Sequence, residues 1–307
     1  MTLNGKDPSA ALMELSSGQK YYLIHKNSGA IKNFTDKTLQ VNQIYTILSD
    51  TQYKIDAAKI YVDAANGSRD LLMERNEITE AWNDRIFGSG STTTNPSNEE
   101  FTRYGASNPN LRANTGNSVI VAQSAGNLKG KAIRAGIDDL TKSDRNVHDN
   151  SLVVKSGTSL GALSGGHSND AGNKAVYNNS VTFEADGTSV GDDVKGGYAE
   201  YGEAHHNTIN TNNTTIGDSI YGSHALRGDA HDSTINLKGG QKKGGGNVWG
   251  GFAAANGTGK AYKNKINVAN GTKINSSVIG GLSMKSDATE NTVNLNMDDS
   301  GAVQAGG

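Results

Sequence analysis

The stretch Val248–Gly257, "VWGGFAAANG", sets an apolar residue, a tryptophan, two glycines and a phenylalanine side by side. Related segments surround it: "LSGGHSNDAG" from Leu163, "VKGGYAEYG" from Val194 and "VIGGLSMKS" from Val278. Their opening apolar residues, with Ile133 and Ile220, recur at intervals of about 26 to 31 residues, the range of repeat architectures. A further opening at Val303 begins "VQAGG", and the sequence stops within that coil. Downstream of each opening comes a second motif, Asn-x-apolar-x-apolar. It reads "NSVIV" at 117, "NSLVV" at 150, "NSVTF" at 179, "NTINT" at 207, "STINL" at 233, "NKINV" at 264 and "NTVNL" at 291.

Alternation such as "TVNLNM" is a strand signature, with apolar side chains on one face. Two or three short strands per repeat of about 29 residues, joined by Gly, Asn, Asp and Thr turns, describe one coil of a β-solenoid. A coil cannot bury its apolar face alone and must stack on a neighbour. Corresponding residues then form columns. One column is Ile137, His167, Tyr198, His224, Phe252 and Leu282, four residues past each opening. A second is Asn117, Asn150, Asn179, Asn207, Asn264 and Asn291, with Ser233 as the exception. Asparagines in register hydrogen-bond along a stack or serve turn backbone. The glycine pairs are expected at corners that a β-carbon would obstruct. The fold class is thus all-β, with eight to ten coils and a rod of ~40 to 50 Å.

The N-terminal part is less regular. Residues 1–58 contain helix-like "PSAALMEL" and strand-like "KYYLIHK" and "LQVNQIYTI", either a cap or degenerate coils. The solenoid is placed at 59–307, with a coil opening at Ile60 and "NEIT" at 76 as its second strand. The competing reading of "SRDLLMERNEITEAW" is a helix capped by Ser68. "IFGSG" at 86 opens a further coil, spanning 86–132, that carries a polar loop at 91–110.

The chain has 307 residues, 39 glycines, three prolines and no cysteine. Without cysteine there is no disulfide framework, thiol catalysis or thiolate metal site. A net charge of −2 gives no basic face for nucleic acid. No apolar run reaches membrane-spanning length, and "MTLNGKDPSA" lacks the regions of a signal peptide. The expectation is an intracellular chain or a piece of a longer one.

Chemical candidates have plainer readings beside them. Asp192 and Asp193 in "VGDDVKGG" are the best carboxylate pair for a polysaccharide hydrolase, but read equally as a turn. Glu203, His205 and His206, with His224, Asp229, His231 and Asp232 nearby, offer metal-ligating groups. Adjacent strand residues point to opposite faces, however, so His205 and His206 are not expected to share an ion. Lys242 and Lys243 in "GGQKKGGGN" lack the order of a phosphate-binding loop and read as a bulging turn. Asn33, Asn256, Asn270 and Asn275 form glycosylation triplets at the frequency that this composition gives. No catalytic residue, cofactor or metal is therefore expected. Tyr221 and Trp249, beside the glycines, are candidate surface contacts or packing residues.

Over residues 117–307, and loosely over 59–116, the "VxGG" openings and "N-T/S-V/I-N-L/V" strands resemble the passenger region of bacterial autotransporters. That resemblance implies a right-handed parallel β-helix, exported and held at the outer membrane by a barrel outside this chain. It also implies a non-enzymatic adhesin-type role toward glycan or protein on host or bacterial cells. The alternatives are a β-helix enzyme acting on polysaccharide, and a segment of a trimeric phage-type fibre.

Overall fold

Every pass of the glycine segment pairs with the pass before it. Leu163 is partnered in parallel by Ile133 on one side and Val194 on the other, and the register continues through Ile220, Val248 and Val278. This computed structural model describes residues 18–81, 113–123, 125–129, 131–138, 144–155 and 159–296. Within them the chain is all-β, with one short 3-10 turn at Ala64–Asn66.

A coil contains four short strands, more than the two or three that the repeat suggested. The coil that begins at Leu163–Ser168 continues through Val176–Tyr177, Ser180–Phe183 and Ser189–Val190 before the next opening strand, Val194–Ala199. Equivalent strands form parallel sheets along the rod. The interior is filled by aliphatic columns such as Val119, Leu152, Val181, Ile209, Ile235 and Ile266, all fully buried. Between the second and third strands the chain turns sharply through one left-handed residue. Asp149, Asn178, His206, Asp232, Lys263 and Glu290 all have φ between 51° and 56°, and Gly116 takes that position in an earlier coil with φ 72°.

Next to this corner runs the asparagine column. Asn117 Nδ2 donates to Asn150 Oδ1 at 2.8 Å, Asn150 to Asn179 at 2.8 Å, Asn179 to Asn207 at 3.1 Å and Asn264 to Asn291 at 2.9 Å. Each Nδ2 also donates to a main-chain carbonyl, as Asn150 does to Asn114 O at 2.9 Å. Buried amides pair in this way because an unpartnered one costs about 1–3 kcal/mol. A second, outer file joins Asn210, Asn236, Asn267 and Asn294 at 2.7 to 2.8 Å, each donating to the residue before it.

The glycine pairs are not corners. They sit mid-strand at ordinary backbone angles, and their job is clearance. A β-carbon on Gly165 would lie 2.6 Å from the Gly196 carbonyl of the next coil, and one on Gly166 would lie 2.5 Å from Asn179 Nδ2 of its own coil. The first glycine thus allows close coil contact, and the second makes room for the amide column. In the coil that holds Ser233, the second position is Ser223, whose Oγ is 2.5 Å from Ser233 Oγ.

The N-terminal region differs from the expected coil. Strands β1 (Lys20–His25), β2 (Lys37–Ile47), β3 (Gln52–Asp63) and β4 (Asp70–Ala81) pair antiparallel in the order β1-β4-β3-β2. Strand β2 then pairs in parallel with β5 (Ser118–Val121), the first asparagine strand. The boundary expected at 58/59 therefore falls inside β3, and Ile60 opens no coil. Nor is the described part of that stretch, 68–81, a helix: β3 and β4 pair over their full length around a turn in which Gly67 and Ser68 both have positive φ. Among the described residues there are six opening strands, of the eight to ten coils expected for the chain. The segments "PSAALMEL", "IFGSG" at 86, the 91–110 loop and "VQAGG" lie outside the described residues.

Candidate binding face

In the opening strands the second and fifth positions face outward, and the two positions between them are both buried. The fifth is the column of Ile137, His167, Tyr198, His224, Phe252 and Leu282, in register from coil to coil. Ile137 is buried at the N-terminal end and the other five are half-buried. The second holds Arg134, Ser164, Lys195, Tyr221, Trp249 and Ile279. Tyr221 and Trp249 are therefore vertical neighbours, half-buried rather than fully exposed.

The two columns pack edge against edge. Tyr221 stacks on His224 with centroids 4.5 Å apart, and Trp249 lies 5.1 Å from Phe252. His167 stacks on Tyr198 at 4.5 Å, while Tyr198–His224 and His224–Phe252 meet edge to face at 5.2 and 5.1 Å. Such pairs add about 0.5–1.5 kcal/mol each beyond their burial. The Lys195 ammonium is held over Tyr198 and Tyr221, 5.7 and 5.6 Å from the centroids. Its other contact is Asp193 Oδ2 at 2.7 Å. Burial, then the Lys195 charge, pushes His224 down to about 3, and both its ring nitrogens are buried without a hydrogen bond. His167 is also driven well below its ordinary value, by burial and then by Arg134 and Lys195. Burial raises Tyr198 to about 12. At neutral pH this face is one of uncharged rings with fixed cations.

Asp193 is occupied structurally. Besides Lys195 it accepts from the Ser219 amide at 3.2 Å, and Asp192 is exposed in the same turn. Lys242 is not on a bulging turn. It forms part of the strand Gln241–Lys242 and lies 2% exposed in an interior column between Ile216 and Ile274. Its ammonium donates to the Lys243 carbonyl.

A further file of rings escaped the sequence reading. His148, Tyr177, His205, His231 and Tyr262 occupy successive coils two residues before the asparagine column. Their centroids are 4.5 to 5.1 Å apart and their planes lie within 9° of parallel. The signal was there as "VHDN", "VYNN", "AHHN", "AHDS" and "AYKN". The left-handed residue also changes the expected geometry of the histidine pair. At His206 the backbone turns instead of alternating, and His205 Nδ1 and His206 Nδ1 come within 2.7 Å. No protein-family model, curated protein or solved structure matches the chain.

Proposed function

We propose that this chain is a non-enzymatic display segment of a bacterial surface protein of the autotransporter-passenger kind. In this reading it is exported as part of a longer precursor held at the outer membrane. The solenoid is a stiff rod, and the face formed by the opening strands adheres to glycan or protein on host or neighbouring cells. The observation that carries the reading is the contiguous outward set of Tyr198, Tyr221, Trp249 and Phe252, with Lys195 held over the two tyrosines. Half-buried rings already fixed by their neighbours lose little freedom on contact, which is what makes aromatic residues effective at interfaces. Their flat faces suit the C–H faces of sugar rings, and the lysine suits an acidic substituent.

The test is a panel of immobilised glycans and cell surfaces probed with the chain and with Trp249→Ala and Tyr221→Ala. Binding that falls about tenfold or more in each variant, with circular dichroism unchanged, is the expected result. Absence of binding across the panel, or binding indifferent to both substitutions, overturns it.

A further inference from the structure

The file of stacked rings holds one place where two histidines lie directly above one another. His205 and His231 are register partners in adjacent coils, 4.8 Å apart and nearly parallel. Stacking alone does not call for imidazole there, since Tyr177 and Tyr262 do the same in the coils on either side. What sets this pair apart is the surrounding donors. Glu203, His205 and His231 each offer a ligand atom within 4.8 Å of the others. His231 is 9% exposed, and its Nε2 is buried without a hydrogen-bond partner, 3.6 Å from Glu203 Oε2.

We propose that Glu203, His205 and His231 bind a divalent transition-metal ion of borderline softness, zinc in the first instance, on the outside of the rod. Two imidazoles and a carboxylate make a donor set suited to zinc, copper or nickel rather than calcium or magnesium. Tetrahedral zinc places its donors about 3.4 Å from one another; Glu203 Oε2 and His231 Nε2, at 3.6 Å, are already near that spacing, and the His205 donor has to move in from within 4.8 Å. A fourth position stays open to water or an outside ligand.

The neighbours prepare the rings for this role. His231 Nδ1 is 2.7 Å from Asp232 Oδ2, so the ring donates there and presents Nε2 as the bare nitrogen. A carboxylate behind a ligating histidine is the usual means of fixing its tautomer. His205 Nδ1 is engaged by His206 at 2.7 Å, which leaves Nε2 for the ion. His206, His231 and Asp232 form a second compact group. In that group, however, Asp232 is already bonded to Nδ1 of His231, which favours Glu203 as the carboxylate ligand.

The experiment is titration of the chelator-treated full chain with Zn²⁺ against a chromogenic competitor, repeated with Co²⁺ to read coordination from visible absorption. One equivalent per chain is expected, with a low-symmetry, four-coordinate cobalt spectrum. His231→Tyr, a residue that the same file accepts at 177 and 262, is expected to weaken binding at least about 100-fold. Glu203→Gln is expected to weaken it about tenfold, and Asp232→Asn about 10- to 100-fold. His148→Tyr, in the same file but away from the site, leaves binding unchanged. Circular dichroism of each variant confirms the fold. The proposal fails if the wild-type chain takes up no stoichiometric metal, or if His231→Tyr binds as well as wild type. It fails equally if only His206→Tyr abolishes binding, which would mark an exposed histidine pair acting alone.

Discussion

Ser233 interrupts a column of asparagines, and its coil has changed at a second place to suit. Where the other coils carry a glycine facing the amide, this one has Ser223, in register with Gly197 and Gly251. Asn207 Nδ2 then donates to Ser223 Oγ at 2.9 Å, and the Ser233 main-chain N–H donates to Asn264 Oδ1 at 3.2 Å. Two hydroxyls thus replace one amide and one void. The pair predicts non-additivity. Ser233→Asn alone forces an amide against the Ser223 side chain and costs about 1–3 kcal/mol. Adding Ser223→Gly restores the arrangement of the other coils and returns stability to within about 1 kcal/mol of wild type, a coupling that urea denaturation of the four proteins would measure. Independent, additive effects would refute the account.

Among the elements, what recurs at constant spacing was legible and what depends on a local backbone turn was not. The "N-x-apolar" strands declared themselves because their alternation survives into three dimensions, and the openings because their glycine pairs recur at the same strand positions. The file of His148, Tyr177, His205, His231 and Tyr262 was hidden by the left-handed residue that follows each ring. Alternation fails across such a residue, so His205 and His206 come together where strand periodicity separates them. The β3–β4 hairpin was hidden differently. Its "NGS" turn at Asn66–Ser68 is a hairpin signal, but the flanking "IYVDAANG" mimics a solenoid opening. Lys242 shows how far stacking overrides residue preference: register with Ile216 and Ile274 takes a lysine into the interior. Burial lowers its pKa despite Asp218 and Asp193. Lys242→Ile restores an aliphatic column and is expected to raise stability by about 1 kcal/mol, seen as a higher urea midpoint. A lower midpoint would show that the Lys243 contact outweighs the burial of charge.

For the molecule as a whole, the buried imidazoles govern the response to acid. His167, His205 and His224 all have folded-state values below the ordinary 6.5, with His205 near 4 and His224 near 3. Between those values and 6.5 the unfolded chain binds the extra protons, so stability is full above pH 6.5 and declines as pH falls toward 4. Asp138 opposes this, since burial raises it to about 6 from 3.8 and the folded state takes up its proton first. One carboxyl against three imidazoles leaves a net loss in acid. Urea midpoints from pH 7.5 to 4.5 should fall, and should fall less steeply in His224→Phe, which repeats Phe252 of the next coil and removes two unpartnered nitrogens. An unchanged slope in that variant would show that His224 does not contribute.

The two asparagine files also point in opposite senses. In the inner file the amide-to-amide donation runs toward higher residue numbers, from Asn117 through Asn150 and Asn179 to Asn207 and, past Ser233, from Asn264 to Asn291, and Gln43 of β2 starts the series by donating to Asn117 Oδ1 at 2.9 Å. In the outer file the donation runs back, from Asn294 to Asn267 to Asn236 to Asn210. Aligned amide dipoles in an α-helix add up to fractional charges at its ends. In the coils where both files run, their axial moments subtract, so lengthening the rod with such coils adds little electrical polarity to its tips.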